Sequence, residues 1–196
     1  AQAAAPLGHG CLNESATALP YCNASLPLEE RIADVIQRLS PTEKVTHLQS
    51  TWSDPVQDVG LPAYAWGFEG LHGLRTSCLP GCNNRSLCPT VFPAPTGLGA
   101  TFNDSLATMI GEAIGRELRA LDNAGLSNHR NGIASLGIRA PVLNLIRDPR
   151  WGRNVECPSE DPMHAGQYGA ALLAGLQKED GHGHILASAE MKHFAV

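Results

Sequence analysis

The 196-residue chain has no basic cluster. Its fourteen Lys and Arg are scattered, the formal net charge is −5 and the pI lies near 5.9, so it lacks the grouped positive surface that nucleic acid requires. It has no long apolar run either. The longest small or apolar stretch, Gly169 to Leu176, falls far short of the roughly 20 residues of a membrane helix, and no membrane span is expected. A nucleotide fingerprint is missing, because Gly97-Leu98-Gly99 does not continue into one. Metal patterns are missing too. Cys78-x3-Cys82-x5-Cys88 matches no common structural zinc spacing and has no histidine beside it, and His182-Gly183-His184 reads as an exposed, Gly-flanked loop. No cofactor and no metal are therefore expected. There is no initiator Met and no apolar leader; the small residues Ala1 to Ala5 fit a chain whose signal peptide has been removed.

What is present is the composition of a folded domain: 43% hydrophobic and 17% charged residues, enough to bury a core. Six cysteines, Cys11, Cys22, Cys78, Cys82, Cys88 and Cys157, form an even set, three of them in one loop rich in Pro, Gly and Asn. Four Asn-x-Ser acceptor sites accompany them at Asn13, Asn23, Asn84 and Asn103. The two features together point to a secreted, disulfide-bonded glycoprotein, with all six cysteines as disulfide candidates and their pairing left open.

Hydrophobic periodicity orders the chain. Residues 1–26 have none and read as an irregular surface arm. Leu28, Ile32, Val35, Ile36 and Leu39 mark one face of a helix, and Ser40-Pro41-Thr42-Glu43 reads as a capping box that opens a second. Leu106, Met109, Ile110, Ala113, Ile114, Leu118 and Leu121 predict a long helix after Asp104, ended by Asn123 to Gly125; another opens at Asp161-Pro162. Between them stand short apolar runs: Tyr64 to Phe68, Thr90 to Phe92 leading to Gly97 to Thr101, Ile138 to Ile146, and Ile185 to Phe194. Strands of a covered parallel sheet look like this, and the alternation predicts an α/β fold. Chemically capable residues recur just past these runs: Glu69-Gly70-Leu71-His72, Arg147 to Arg153, and Lys192-His193. In a (β/α)8 barrel that end of the strands carries the site.

These segments carry a resemblance. Gly67-Phe68-Glu69-Gly70-Leu71-His72-Gly73, Thr90-Val91-Phe92-Pro93, Gly115-Arg116-Glu117-Leu118-Arg119-Ala120, Asn144 to Arg153, Glu160-Asp161-Pro162, Gly175-Leu176-Gln177 and Lys192-His193-Phe194-Ala195 occur in one order and spacing. In them the chain resembles the N-terminal barrel of family-three glycoside hydrolases, whose members include β-xylosidases and β-glucosidases. The resemblance implies that residues 27–196 form the first half of a (β/α)8 barrel behind an arm at 1–26. It also implies that Glu69, Arg153, Lys192 and His193 grip the hydroxyls of a terminal β-linked sugar. Glu69 stands where many members have Asp; Glu is similar to the xylosidase-like branch, whose motif reads Glu-Ala-Leu-His-Gly, with Gly70 here for Ala. A carboxylate facing an Arg or Lys fork suits vicinal hydroxyls.

Plainer roles are expected for the neighbours. Arg147, Asp148 and Arg150 read as a buried ion-pair network holding their loop, Trp151 as packing, Glu156 as structural and Asp161 as a helix cap. Retention of configuration needs two carboxyl groups about 5 Å apart. The resemblance puts both the nucleophile and the acid/base beyond Val196, in the rest of the barrel and a following domain, carried by the same precursor or by a second chain. Half a barrel would leave a sheet edge and an apolar face to be covered. The expected function is the sugar-binding half of a retaining β-glycosidase. The alternative is a catalytically inactive, family-like extracellular glycoprotein with a structural or carbohydrate-binding role.

Overall fold

The computed structural model of the chain describes residues 11, 16–48, 52–61, 63–74, 78–80, 86–124 and 136–193. They fall into two compact units, Ala1–Trp66 and Gly67–Val196.

In the first unit, residues 16–26 of the expected surface arm are partly built into a core. A 3-10 turn at Pro20–Cys22 buries Tyr21, whose hydroxyl donates to the Val59 carbonyl at 2.6 Å. Tyr21 forms a small core with Val56 and Val59, and a Cys11–Cys22 disulfide closes beside it. A buried aromatic whose polar tip is satisfied anchors an otherwise irregular segment. Helix α1 (Leu28–Arg38) carries Glu29 and Glu30 in its first turn, which suits the helix dipole. Its Val35 packs on the Tyr21 cluster with Leu39, whereas Leu28, Ile32 and Ile36 stand exposed at 63%, 41% and 50%. Helix α2 (Pro41–His47) opens on the expected capping box: Ser40 Oγ accepts from the Glu43 amide, and the Glu43 carboxylate accepts from the Ser40 amide at 2.7 Å. Strands β1 (Trp52–Ser53) and β2 (Tyr64–Ala65) pair antiparallel.

The second unit holds the expected alternation around a three-stranded parallel sheet. Its strands are β3 (Phe68–Glu69), then a β4 (Leu79–Pro80) and β5 (Ser86–Leu87) hairpin apart from the sheet, then β6 (Gly137–Arg139) and β7 (Ser188–Ala189). The order is β3-β6-β7, with Phe68 opposite Ile138 and Ile138 opposite Ala189. Parallel pairing resumes past the strand ends, where Val142 faces Lys192 and the Leu143 amide donates to the Lys192 carbonyl at 2.7 Å. Short helix α3 (Pro95–Gly99) and long helix α4 (Asp104–Asn123) lie between β3 and β6; α5 (Pro162–Leu176) lies between β6 and β7. Asn103 caps α4 by accepting from the Leu106 amide, and Asp161 caps α5 by accepting from the His164 amide at 2.7 Å, with Pro162 at the first helical position.

Helices α4 and α5 pack against each other at backbone distance. A Cβ on Gly111 would fall 2.3 Å from the Leu172 carbonyl oxygen, and one on Gly175 would fall 2.1 Å from that of Thr108. The buried face is therefore Ala107, Ile110, Gly111, Ile114, Gly115 and Leu118. Met109, expected in the apolar stripe, is 61% exposed; the face that α4 turns to α5 runs through Gly111 instead. Gly97 to Thr101 does not extend a strand: with Pro95 setting its first turn, Pro95–Gly99 is helical. Of the cysteines, Cys78 pairs with Cys88 across the β4–β5 hairpin. Cys157, expected in a disulfide, is a free thiol with no exposed surface, and burial pushes its pKa up. It packs as a small hydrophobe, which needs no partner. Cys82 lies outside the described residues. No helix among the described residues is long and apolar enough to cross a membrane.

Candidate functional site

The parallel sheet brings together segments far apart in sequence. Glu69 ends β3; Arg153 stands in the loop after β6, just before a 3-10 turn at Asn154–Glu156; Lys192 and His193 follow β7. The Lys192 ammonium donates to Glu69 Oε2 at 2.8 Å across 123 positions of sequence, with the lysine side chain largely shielded from solvent. Arg153 forks onto Glu156, Nε to Oε1 and Nη2 to Oε2, the second bond at 2.7 Å. Its Nη2 also lies 3.5 Å from His193 Nε2. Behind His193, the buried Asn144 Oδ1 accepts from the His193 amide at 3.1 Å and lies 2.7 Å from its Nδ1.

Glu69, Arg153, Glu156 and Lys192 face a cleft of about 610 Å³, which His72 also lines, with Leu71, Leu74 and Val91 as its apolar wall. His72 is tied to the facing segment twice: its carbonyl accepts from the Phe92 amide at 2.8 Å, and its Nδ1 lies 3.2 Å from the Phe92 carbonyl. Gly73 permits this approach. Its φ is +126°, and a Cβ there would lie 2.3 Å from the Thr90 carbonyl oxygen. The Arg153 fork holds the Glu156 carboxyl below the usual carboxylate range, against the opposite push of its burial. Glu156 is thus an ionised acceptor at neutral pH and not a proton donor. Two carboxylates, a guanidinium and an ammonium on one cleft form an array of strong acceptors and donors, suited to a neutral ligand bearing many hydroxyls.

A family model, the glycosyl hydrolase family 3 N-terminal domain, matches residues 31–196. The chain belongs to glycosyl hydrolase family 3. Among curated relatives it is 38% identical over 170 residues to a beta-xylosidase/alpha-L-arabinofuranosidase 1 of Medicago sativa subsp. varia, covering 86% of this chain and 21% of that protein. Among solved structures it resembles a family 3 exo-beta-xylosidase in complex with a xylobiose aziridine probe, with a TM-score of 0.76, 29% identity, and coverage of 94% of this chain and 23% of that one. It also resembles beta-glucosidase 3B of Thermotoga neapolitana in complex with alpha-D-glucose, with a TM-score of 0.60, 27% identity, and coverage of 84% and 23%. The chain spans about a fifth to a quarter of the length of these proteins.

Within this family 3 chain, Glu69, Arg153 and Lys192 line the cleft, and His193 stands against Arg153. Two participants were not legible as such. Glu156, expected to be structural, lines the cleft as well as holding Arg153; its spacing of three residues from the arginine was the available signal. Asn144 opens one of the family-like segments, but its contact with His193, 49 residues away, could not be read from it. The expected buried network of Arg147, Asp148 and Arg150 is instead a surface feature. Asp148 pairs with Arg150 at 2.7 Å, the arginine side chain is 89% exposed, and Arg147 is exposed. An i, i+2 pair in a tight turn satisfies itself locally and needs no burial. His184 lies 3.5 Å from Asp180 in an exposed turn, and among the described residues no group of three or more His, Cys, Asp or Glu is placed to hold a metal. Asn23 and Asn103 are exposed; Asn13 and Asn84 lie outside the described residues.

Proposed function

We propose that this chain supplies the sugar-gripping part of an exo-acting, retaining β-glycosidase, with a β-xyloside favoured over a β-glucoside as substrate. The convergence of Glu69–Lys192 and Arg153–Glu156 on one cleft, at the ends of successive parallel strands, carries this reading. In it, Glu69 accepts from neighbouring sugar hydroxyls while Arg153, Lys192 and His193 complete the grip. The longer reach of Glu than of Asp narrows the subsite, which suits a pentopyranose without a hydroxymethyl arm. Glu156 keeps the Arg153 fork aimed. Such contacts accelerate hydrolysis to the extent that they tighten as the ring flattens toward an oxocarbenium ion.

Both cleft carboxylates are engaged by cations, Glu69 by Lys192 and Glu156 by Arg153, and the Arg153 fork holds the Glu156 carboxyl below the usual range, the opposite of what a general acid requires. The nucleophile and the acid/base are accordingly assigned to the remainder of a (β/α)8 barrel of which residues 27–196 are the first part, and to a domain beyond it. Secretion, with glycans on the acceptor asparagines, belongs to the same proposal; the two disulfides favour an oxidising compartment. The test is incubation of the native protein, with whatever polypeptide accompanies it, with aryl β-xyloside and aryl β-glucoside. Faster release from the xyloside is expected. Release from neither would overturn the glycosidase reading in favour of a carbohydrate-binding or structural glycoprotein.

A further inference from the structure

We infer that Asn144 is a positioning residue that locks His193 as a neutral imidazole protonated on Nδ1, so that Nε2 faces Arg153 as a hydrogen-bond acceptor. The orientation of the Asn144 amide follows from the backbone. Its Oδ1 lies 3.1 Å from the His193 main-chain nitrogen, an N–H that can only donate, so an oxygen and not an NH2 must occupy that place. The same oxygen lies 2.7 Å from His193 Nδ1, and an amide oxygen only accepts. Nδ1 therefore carries the proton. The other ring nitrogen lies 3.5 Å from Arg153 Nη2, a group that can only donate. An imidazolium would set an N–H against that guanidinium, whereas the neutral ring presents a lone pair to it. Asn144 is only 4% exposed, and its segment is pinned to the Lys192 segment by Leu143 N to Lys192 O at 2.7 Å and Lys192 N to Pro141 O at 3.1 Å, so the acceptor is held in register with the ring.

A specific division of labour follows, and this part rests on the proposed sugar-binding function. Lys192 and Arg153 donate to the sugar, Glu69 accepts, and His193 accepts as well, steadying the Arg153 fork or receiving one hydroxyl proton through Nε2. Asn144 acts through His193 without touching the ligand.

Long-range proton–nitrogen NMR of the ¹⁵N-labelled full chain reads the tautomer directly, with His193→Gln identifying the signals. At neutral pH, Nδ1 is expected at a pyrrole-type shift and Nε2 at a pyridine-type shift. The reversed pattern, or protonation of both nitrogens, would overturn the proposal on the unmutated protein alone. Asn144→Asp, which keeps both acceptor bonds, is expected to keep Nδ1 protonated; Asn144→Leu is expected to shift the ring toward the Nε2–H form, and an unchanged tautomer in a folded Asn144→Leu chain counts against Asn144. Titration with methyl β-D-xyloside separates the two readings. Movement of the Nε2 resonance supports acceptance from the sugar, while a fixed resonance with the Nδ1–H tautomer intact removes the sugar contact and leaves the positioning role standing.

Discussion

Helices α4 and α5 and the cleft beside them belong to the same unit and are held together by opposite means. Between the helices the contact is apolar and so close that glycine alone fits at Gly111 and Gly175. Around the cleft, charged groups stay at least partly accessible and bound to one another, Lys192 to Glu69 and Arg153 to Glu156. The first arrangement commits its surface to stability. The second withholds its strongest hydrogen-bonding groups from the core and presents them, already oriented, to a ligand.

This contrast can be broken most severely at its rigid side. Gly175→Ala should destabilise the fold by about 3 kcal/mol, since the added methyl meets main-chain atoms of α4 that cannot turn away; a shift in urea midpoint measures it, and an unchanged midpoint would mean that the helices do not touch as described. At the cleft the expected loss is functional. In the glycosidase proposed to contain this chain, Lys192→Ala or Arg153→Ala should weaken transition-state binding by roughly 2–4 kcal/mol, read as kcat/KM on an aryl β-xyloside. Undiminished turnover would remove those residues from the site.

A smaller effect separates the two sides by pH. The folded pKa of Glu156 lies below its unfolded value, chiefly through its bonds to Arg153. The resulting stability is present above the ordinary carboxylate range and is lost as the pH falls through the folded value. Glu156→Gln should therefore lower stability at neutral pH and flatten the acid limb between about pH 6 and pH 3, as followed by urea unfolding. A variant with the same acid limb as the parent would show that the fork contributes nothing. Smallest of all, Arg150→Ala should change stability by less than about 0.5 kcal/mol, because its partner Asp148 is two residues away on the surface.

Local pattern specified the structure where a residue's partners are its neighbours. Ser40 with Glu43 and Asp161 with Pro162 are local devices, and both appear as helix caps. It faltered where a residue's partner is remote. Met109 fits the period of α4, yet the face turned to α5 runs through Gly111 instead. Cys157 belongs to an even set, yet burial leaves it a thiol. The stripe Leu28, Ile32 and Ile36 fits the period of α1, yet it stands exposed, since periodicity says which residues share a face and nothing about what covers that face.

By itself the sequence determined the helices with their caps, the α/β alternation and the family, because these rest on spacings of a few residues and on motifs in a fixed order. Only the tertiary structure decided that Glu156 joins the cleft, that Asn144 orients His193, and that the Asp148–Arg150 pair stays at the surface. The places of Glu156 and Asn144 depend on which segments the parallel sheet sets side by side, as the Asn144–His193 contact across 49 positions shows, and the exposure of Asp148–Arg150 depends on the surface its turn meets.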